Sequence, residues 1–298
     1  MNVAVTGSSG LIGSTLGSAL AGAGHTVRRF VRSRPTDEGQ VRWDPASGRL
    51  DSSALDEVDA IVHLSGETVA GRWSDAKKRR IRESRIGSTQ LLSQTIAKLP
   101  SRPAVLVSAS AIGYYGDRGD EWLNEDSPPG SGFLADVVRD WEAATASAAS
   151  AGVRVVNTRF GLVLSARGGL LRQLLTPFRL GLGGRLGSGA QYMSWIAIDD
   201  VVAAIMHALA HAQVTGPLNI VAPNPVTNRE FTKALGAVLH RPTLMAVPAF
   251  AMKAAVGEFS AEALGSQRVR AAKLERSGYD FAFAQLEPAL RHLLDRPA

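Results

Sequence analysis

A chain of 298 residues with 45% hydrophobic and 20% charged residues has an ordinary globular composition, long enough for one large domain or two unequal ones. It has no cysteine, which excludes disulfides, thiolate metal sites and cysteine nucleophiles. The formal charge of +6 implies a general preference for anions, but apart from Lys77-Lys78-Arg79-Arg80 the basic residues are spread along the chain, so nucleic acid is not expected as a partner.

The N-terminus, Met1 to Val5, has no basic region ahead of a long apolar run, so no signal peptide is expected. Val201–Ala210, one of the most apolar stretches, falls short of the roughly 20 residues that span a bilayer. Neither a membrane nor an export route is therefore expected, and a cytoplasmic location is.

In chain order, Val3–Val5 reads as a strand, Leu11–Ala23 as a helix and Thr26–Val31 as a second strand. Ala60–Leu64 and Ala104–Ser108 have the same β-branched, apolar character, with a helix at Arg79–Lys98 between them. Leu134–Ala151 has helical spacing and Arg154–Leu164 returns to strand. This alternation implies βαβ units and a parallel sheet covered on both faces. After Ser165 a glycine-rich stretch carries a helix at Leu170–Leu180, and the tail holds helices at Phe250–Val256 and Leu286–Leu294. The expected fold is an α/β, Rossmann-type, doubly wound parallel sheet over residues 1–240, with substrate-side insertions at about 166–195. A small, mostly helical C-terminal lobe over 241–298 completes it.

The sharpest motif is Thr6-Gly7-Ser8-Ser9-Gly10-Leu11-Ile12-Gly13, placed directly between the first strand and the first helix. Gly7 permits a tight turn, Gly10 a close backbone approach to a pyrophosphate, and Gly13 close packing of helix on strand. The helix N-terminus beyond them offers unpaired N–H groups to phosphates, with Ser9, Leu11 and Ile12 around it. Acidic residues that bind a ribose 2′-hydroxyl usually follow about 20 residues on, whereas an Arg there accommodates a 2′-phosphate. This chain has Arg28, Arg29, Arg32 and Arg34 and no acid until Asp37. Arg32, just past Val31 at the strand end, is the expected phosphate contact, and NADP(H) the expected cofactor.

These residues resemble the extended short-chain dehydrogenase/reductases, whose TGxxGxxG form Thr6–Gly13 matches. His63-Leu64-Ser65-Gly66-Glu67 resembles that superfamily's motif after strand four, and more narrowly Trp43-Asp44-Pro45, Leu64–Glu67, Ser84-Arg85, Pro177–Gly184 and Trp195-Ile196 are similar to the atypical "epimerase family" branch, also labelled nucleoside-diphosphate-sugar epimerase-like or SulA-like. That branch carries a small C-terminal domain of unknown function, which the tail resembles. The resemblance implies cofactor contacts from Leu64, Ser65 and Gly66, from Arg80 and Arg85 on the following helix, and from Ser108 and Val163.

The superfamily places a Ser or Thr at the end of strand five and a Tyr-x-x-x-Lys on the next helix, the lysine lowering the tyrosine's pKa. Here Ser108-Ala109-Ser110 supplies hydroxyls, and Ser110 matches the catalytic one. Anchored on Glu142, however, the tyrosine and lysine positions hold Leu134 and Val138. Tyr114 is the candidate substitute, with a nearby Arg in the lysine's electrostatic role. Tyr115 matches the structural tyrosine of a Val-Tyr-Gly turn.

Three further signals carry less chemistry. His207 and His211 are spaced for two metal ligands but have no third, so no metal is expected. Asp199-Asp200 reads as a strand-to-helix step with an Asp N-cap. Phe178, Tyr192, Met193 and Trp195 read equally as pocket lining or as core. The sequence thus supports an NADP(H)-dependent oxidoreductase or epimerase-like enzyme on an unknown small molecule, or a cofactor-binding sensor or regulator with little catalysis. It leaves the oligomeric state open.

Overall fold

The computed structural model describes residues 1–295. Seven parallel strands form the central sheet: β1 (Asn2–Thr6), β2 (Thr26–Val31), β3 (Gln40–Arg42), β4 (Ala60–His63), β5 (Val105–Ala111), β6 (Arg154–Phe160) and β7 (Gly216–Ile220). Their spatial order is β7-β6-β5-β4-β1-β2-β3, so the chain runs outward from β1 to one edge and then crosses back to build the other side. The reversal lies between β1 and β4. In open α/β sheets the ligand crevice sits at that point, beyond the carboxyl ends of the strands.

Alternation along β1 sets the two layers. Val3 and Val5 face a core that includes Leu16 and Leu20 of helix α1 (Leu11–Gly22), while Ala4 faces the core of helix α2 (Asp75–Lys98), with Leu92 and Ile96. Both faces are buried, which is why β4 and β5 are apolar runs and not alternating ones. Leu16 and Leu20 are fully buried, each contributing about 1.5–3 kcal/mol of transfer free energy.

The structure refines several sequence expectations. Helix α2 begins a turn earlier than Arg79, because the Ser74 side chain accepts from the Lys77 N–H and caps it. The Leu134–Ala151 helix is two pieces, α3 (Phe133–Ala143) and a short Ala146–Ser150. Arg154–Leu164 is also two elements, β6 and Leu162–Leu164, separated at Gly161, where a Cβ would lie 2.4 Å from the Ser194 carbonyl oxygen. Strands β3 and β7 and the helix Asn228–Val238, closed by a Thr227/Glu230 capping box, were not expected.

The expected Asp N-cap is corrected. The helix Ile198–Ala210 is preceded by Ala197 and has no side-chain cap. Asp200 is buried inside its first turn and accepts instead from the Tyr279 hydroxyl (2.9 Å) and from the N–H groups of Ala282 (2.9 Å) and Phe283 (3.0 Å). The C-terminal lobe is mostly helical, but its strand Met245–Val247 pairs with Gly184–Leu186 of the glycine-rich insertion, and its strand Arg268–Val269 pairs with Trp122–Leu123. Trp195, Phe178 and Met193 belong to the core, and Tyr192 is half-buried. His207 stacks on His211 and is bonded to Ser277 Oγ at 2.8 Å. No described helix is long and apolar enough to cross a membrane.

Candidate functional site

The turn between β1 and α1 is shaped by backbone contacts that side chains would obstruct. Gly7 has φ +65°, and a Cβ there would stand 2.7 Å from the Leu64 carbonyl group. A Cβ on Gly13 would stand 2.3 Å from the Gly7 oxygen, and one on Gly10 would stand 3.2 Å from it. Gly13 therefore serves the turn itself, holding the helix against Gly7 and Ser8. Gly10 closes the turn by donating to Gly7 O at 3.0 Å and forms the N-cap of α1, with no side-chain cap and no acid in the first turn. The N–H groups of that turn are left for a ligand. Ser9 and Gly10 are exposed, while Leu11 and Ile12 are half-buried. The Leu11 side chain lies 3.4 Å from where a Gly168 Cβ would be, so the second glycine pair forms a wall of the same cradle. Val163, on a strand paired with Trp195–Ala197, leads into that wall.

A buried relay fixes the opposite wall. The Leu64 N–H bonds Thr6 Oγ1 at 3.2 Å, Thr6 Oγ1 meets His63 Nδ1 at 2.7 Å, and His63 Nε2 meets Ser88 Oγ at 3.2 Å. Ser88 gives its one hydroxyl proton to Ser84 O at 2.7 Å, which assigns the proton of a neutral His63 to Nε2 and leaves Nδ1 to accept from Thr6. Burial pulls the His63 pKa down to about 4. The 64–66 loop is thereby tied to the end of β1 by groups that stay neutral.

The arginines of β2 divide by role. Arg28 donates to the carbonyls of Ala54 and Asp56, and Arg29 pairs with Asp37 at 2.6 Å. Arg32, beyond half-buried Val31, is exposed and no ion pair holds it among the described residues. Arg80 is exposed likewise. Arg85 lies beneath the loop: it donates to the Glu67 carbonyl at 2.8 Å, and its guanidinium is 3.3 Å from where a Gly66 Cβ would be. Burial lowers its pKa to about 10. Ser65 and Gly66 are held from below by this contact, and Glu67 by Lys77 at 2.8 Å, whose hydrogen bond holds that carboxyl below its usual range.

Thr6, His63 and Ser108 lie in register across β1, β4 and β5. Ser110 lies two residues farther along β5, about 6–7 Å beyond that row. Ser108 is buried, and Ser110 donates to Glu142 Oε1 at 2.6 Å. Glu142 is gripped in two places by Arg159, Nε to Oε1 at 2.7 Å and Nη2 to Oε2 at 2.8 Å. Arg159 Nη1 also donates to the Tyr115 hydroxyl at 2.9 Å, which donates in turn to Asn219 Oδ1 at 2.8 Å. Burial disfavours charge on Arg159, but the Glu142 carboxylate outweighs it and holds the guanidinium above its ordinary value. Burial pushes Tyr115 up to about 12, with Arg159 opposing.

Tyr114 differs from its neighbour. Its ring lies 3.5 Å from the Arg159 guanidinium carbon, and no hydrogen bond of its hydroxyl occurs among the described residues. Leu134 and Val138 face the Gly113 backbone, 3.7 and 3.9 Å from where its Cβ would be. Sequence reading missed the part played by Glu142, Arg159 and Asn219. The available signal was Arg159, a charged residue inside an otherwise buried β-branched run.

Residues 3–221 match the NAD dependent epimerase/dehydratase family, and residues 247–293 a domain of unknown function (DUF1731). Epimerase family protein Mb2239 of Mycobacterium bovis is 47% identical over 99% of this chain and 98% of its own length. Human epimerase family protein SDR39U1 is 37% identical over 99% of this chain and all of its own. The crystal structure of human SDR39U1 (isoform 2) with NADPH superposes with a TM-score of 0.90 at 35% identity, covering 100% of both chains. A nucleoside-diphosphate sugar epimerase from Corynebacterium glutamicum gives a TM-score of 0.82 at 41% identity, over 99% of this chain and 58% of that one.

Proposed function

Since the chain belongs to the NAD dependent epimerase/dehydratase family, we propose that it binds NADP(H) across the β1–α1 turn and works as an NADP(H)-dependent oxidoreductase or epimerase-like enzyme on a small molecule. The observation that carries this reading is the glycine cradle: Gly7 and Gly13 leave room only for backbone, Gly10 sits tight against the Gly7 oxygen, and the helix N-terminus above them is uncapped. The human relative whose structure holds NADPH supports the choice of cofactor. When bound, the nicotinamide supplies hydride exchange with a carbonyl or alcohol.

The residues of the chain divide the remaining work. Arg32 stands exposed at the end of β2, placed for a 2′-phosphate, and Arg80 adds positive charge on the following helix. Leu64, Ser65 and Gly66, braced by Arg85, form a backbone wall. Tyr114 is the proton-bearing group at the end of β5 whose hydroxyl is not engaged, so it is assigned to orient and protonate the substrate oxygen. Ser110 acts through Glu142, to which its hydroxyl proton is directed.

Titration with NADPH and NADH by nicotinamide fluorescence tests the assignment. NADPH is expected to bind more tightly, and Arg32→Ala to weaken it by one to two orders of magnitude, the equivalent of a charge-assisted hydrogen bond of about 1.5–3 kcal/mol. Equal affinity for both nucleotides, unchanged by the substitution, would refute the Arg32 role. A second reading, a cofactor-binding sensor or regulator with little catalysis, is favoured by the apolar Leu134 and Val138 and by the burial of Ser110. Tyr114→Phe separates the two: a loss of NADPH oxidation supports the enzyme, and an unchanged rate with every carbonyl tested supports the sensor.

A further inference from the structure

Exposed large apolar side chains cluster in one region. Five of the seven among the described residues are Leu180, Leu182, Leu244, Met245 and Phe250, with Leu244 92% and Phe250 77% exposed. They lie on two segments that the fold joins: Met245 pairs with Gly184 in a parallel ladder, and Arg241 Nε donates to the Arg179 carbonyl at 2.8 Å. The helix Ala249–Val256 continues the second segment. It is apolar at every position but Lys253, yet none of its residues is buried. An apolar helix gains its stability by covering that surface, and among the described residues this one is covered only in part: Ala251, Met252 and Val256 are half-buried, while Ala249, Phe250, Ala254 and Ala255 stay exposed.

The charge on the same segments has one sign. Residues 166–198 and 231–257 contain no Asp or Glu. Arg172, Arg179, Arg241 and Lys253 are exposed there, and none is ion-paired among the described residues. Apolar side chains fringed by cations without acids match a surface that is apolar within and anionic at its rim.

We propose that this face attaches to an anionic lipid bilayer surface, with the helix Ala249–Val256 lying in the interface. Leu182, Leu244 and Phe250 enter the acyl boundary, while Arg179, Arg241 and Lys253 meet the headgroups. A second copy of the chain fits less well, because a two-fold contact sets a patch against itself and would bring these cations together. The expectation of no membrane partner rested on the length of apolar runs, which is a criterion for spanning and not for surface attachment.

The test is co-sedimentation of the full chain with phosphatidylcholine vesicles, with and without phosphatidylglycerol. Binding is expected only to the anionic vesicles and is expected to fall as salt is raised. Arg241→Ala and Lys253→Ala should each weaken it about fivefold, the equivalent of about 1 kcal/mol per cation near the surface. The double variant Leu244→Asp, Phe250→Asp should abolish it. NADPH titration, which none of these changes should affect, reports that each variant is folded. No sedimentation with anionic vesicles, or sedimentation indifferent to all the variants, overturns the proposal. So does a dimer in sedimentation velocity that Phe250→Asp dissociates, since the face would then belong to a second copy.

Discussion

The turn at Gly7–Gly13 and the corner formed by Ser110, Glu142, Arg159 and Tyr115 stand at the same end of one sheet, yet they treat polar groups in opposite ways. The turn keeps its capacity open: α1 starts without a side-chain cap, and Arg32 beside it bonds to nothing among the described residues. The corner satisfies its groups internally, running from Ser110 through the carboxylate and the guanidinium to Tyr115 and Asn219. Open capacity is what a ligand uses. A closed network mainly holds strands and helices in register, as Arg159 on β6 does by reaching Glu142 on α3. The corner bonds its polar groups to one another, and among the described residues the Tyr114 hydroxyl is the group left outside that network.

Substituting the corner should therefore cost stability before it costs binding. Arg159→Leu leaves a largely buried carboxylate without its partner, and such a loss is expected to destabilise the fold by about 3–5 kcal/mol. Urea unfolding measures it, and the folded fraction should still bind NADPH with near-normal affinity. If affinity collapsed while stability held, the corner would be part of the cofactor site and the contrast would fail.

The relay from Leu64 to Ser88 ties the end of β1 to β4 and α2, and its histidine makes it sensitive to pH. His63 titrates near 4 in the fold, against about 6.5 in an unfolded chain. The unfolded state thus binds more protons between those values. The stability contribution is complete above pH 6.5 and is lost as pH falls toward 4, amounting to roughly 3 kcal/mol. Unfolding free energies measured across that window should slope accordingly, and His63→Asn should flatten the slope. A slope that persists in the variant would place its origin in other groups.

The smallest stability effect is expected in the turn, together with a clear loss of binding. A Cβ on Gly13 meets the Gly7 oxygen at 2.3 Å. Gly13→Ala should cost about 1–3 kcal/mol by overpacking and weaken NADPH at least about tenfold, since the N–H groups of the turn shift together. Calorimetric unfolding alongside fluorescence titration would sharpen the contrast, and intact affinity would show that the turn tolerates displacement.

The same contrast governs what could be read in advance. The glycine turn was legible because its demands are local: a positive φ at Gly7 and two close approaches, all within eight residues of one strand end. The β2 arginines were legible as a set, but which of them stays open was not, since Arg28 and Arg29 are occupied by Ala54, Asp56 and Asp37. At the corner, Ser110, Glu142, Arg159 and Asn219 come from four separate elements, and no periodicity links them. The break of the β-branched run at Gly161 was hidden for a related reason, because the obstructing Ser194 carbonyl belongs to another strand region.

Asp200 gives the order of synthesis a physical meaning. Its carboxylate is buried in the first turn of Ile198–Ala210, and its donors all come from Tyr279, Ala282 and Phe283, about eighty residues later. A nascent chain emerging from the ribosome up to residue 278 holds that charge with none of these three donors, so this helix cannot seat on the sheet without penalty until the tail arrives. Residues 279–283 thus supply the groups that let this helix bury its charge, and a chain cut before Tyr279 would carry the Asp200 carboxylate without any of these three partners.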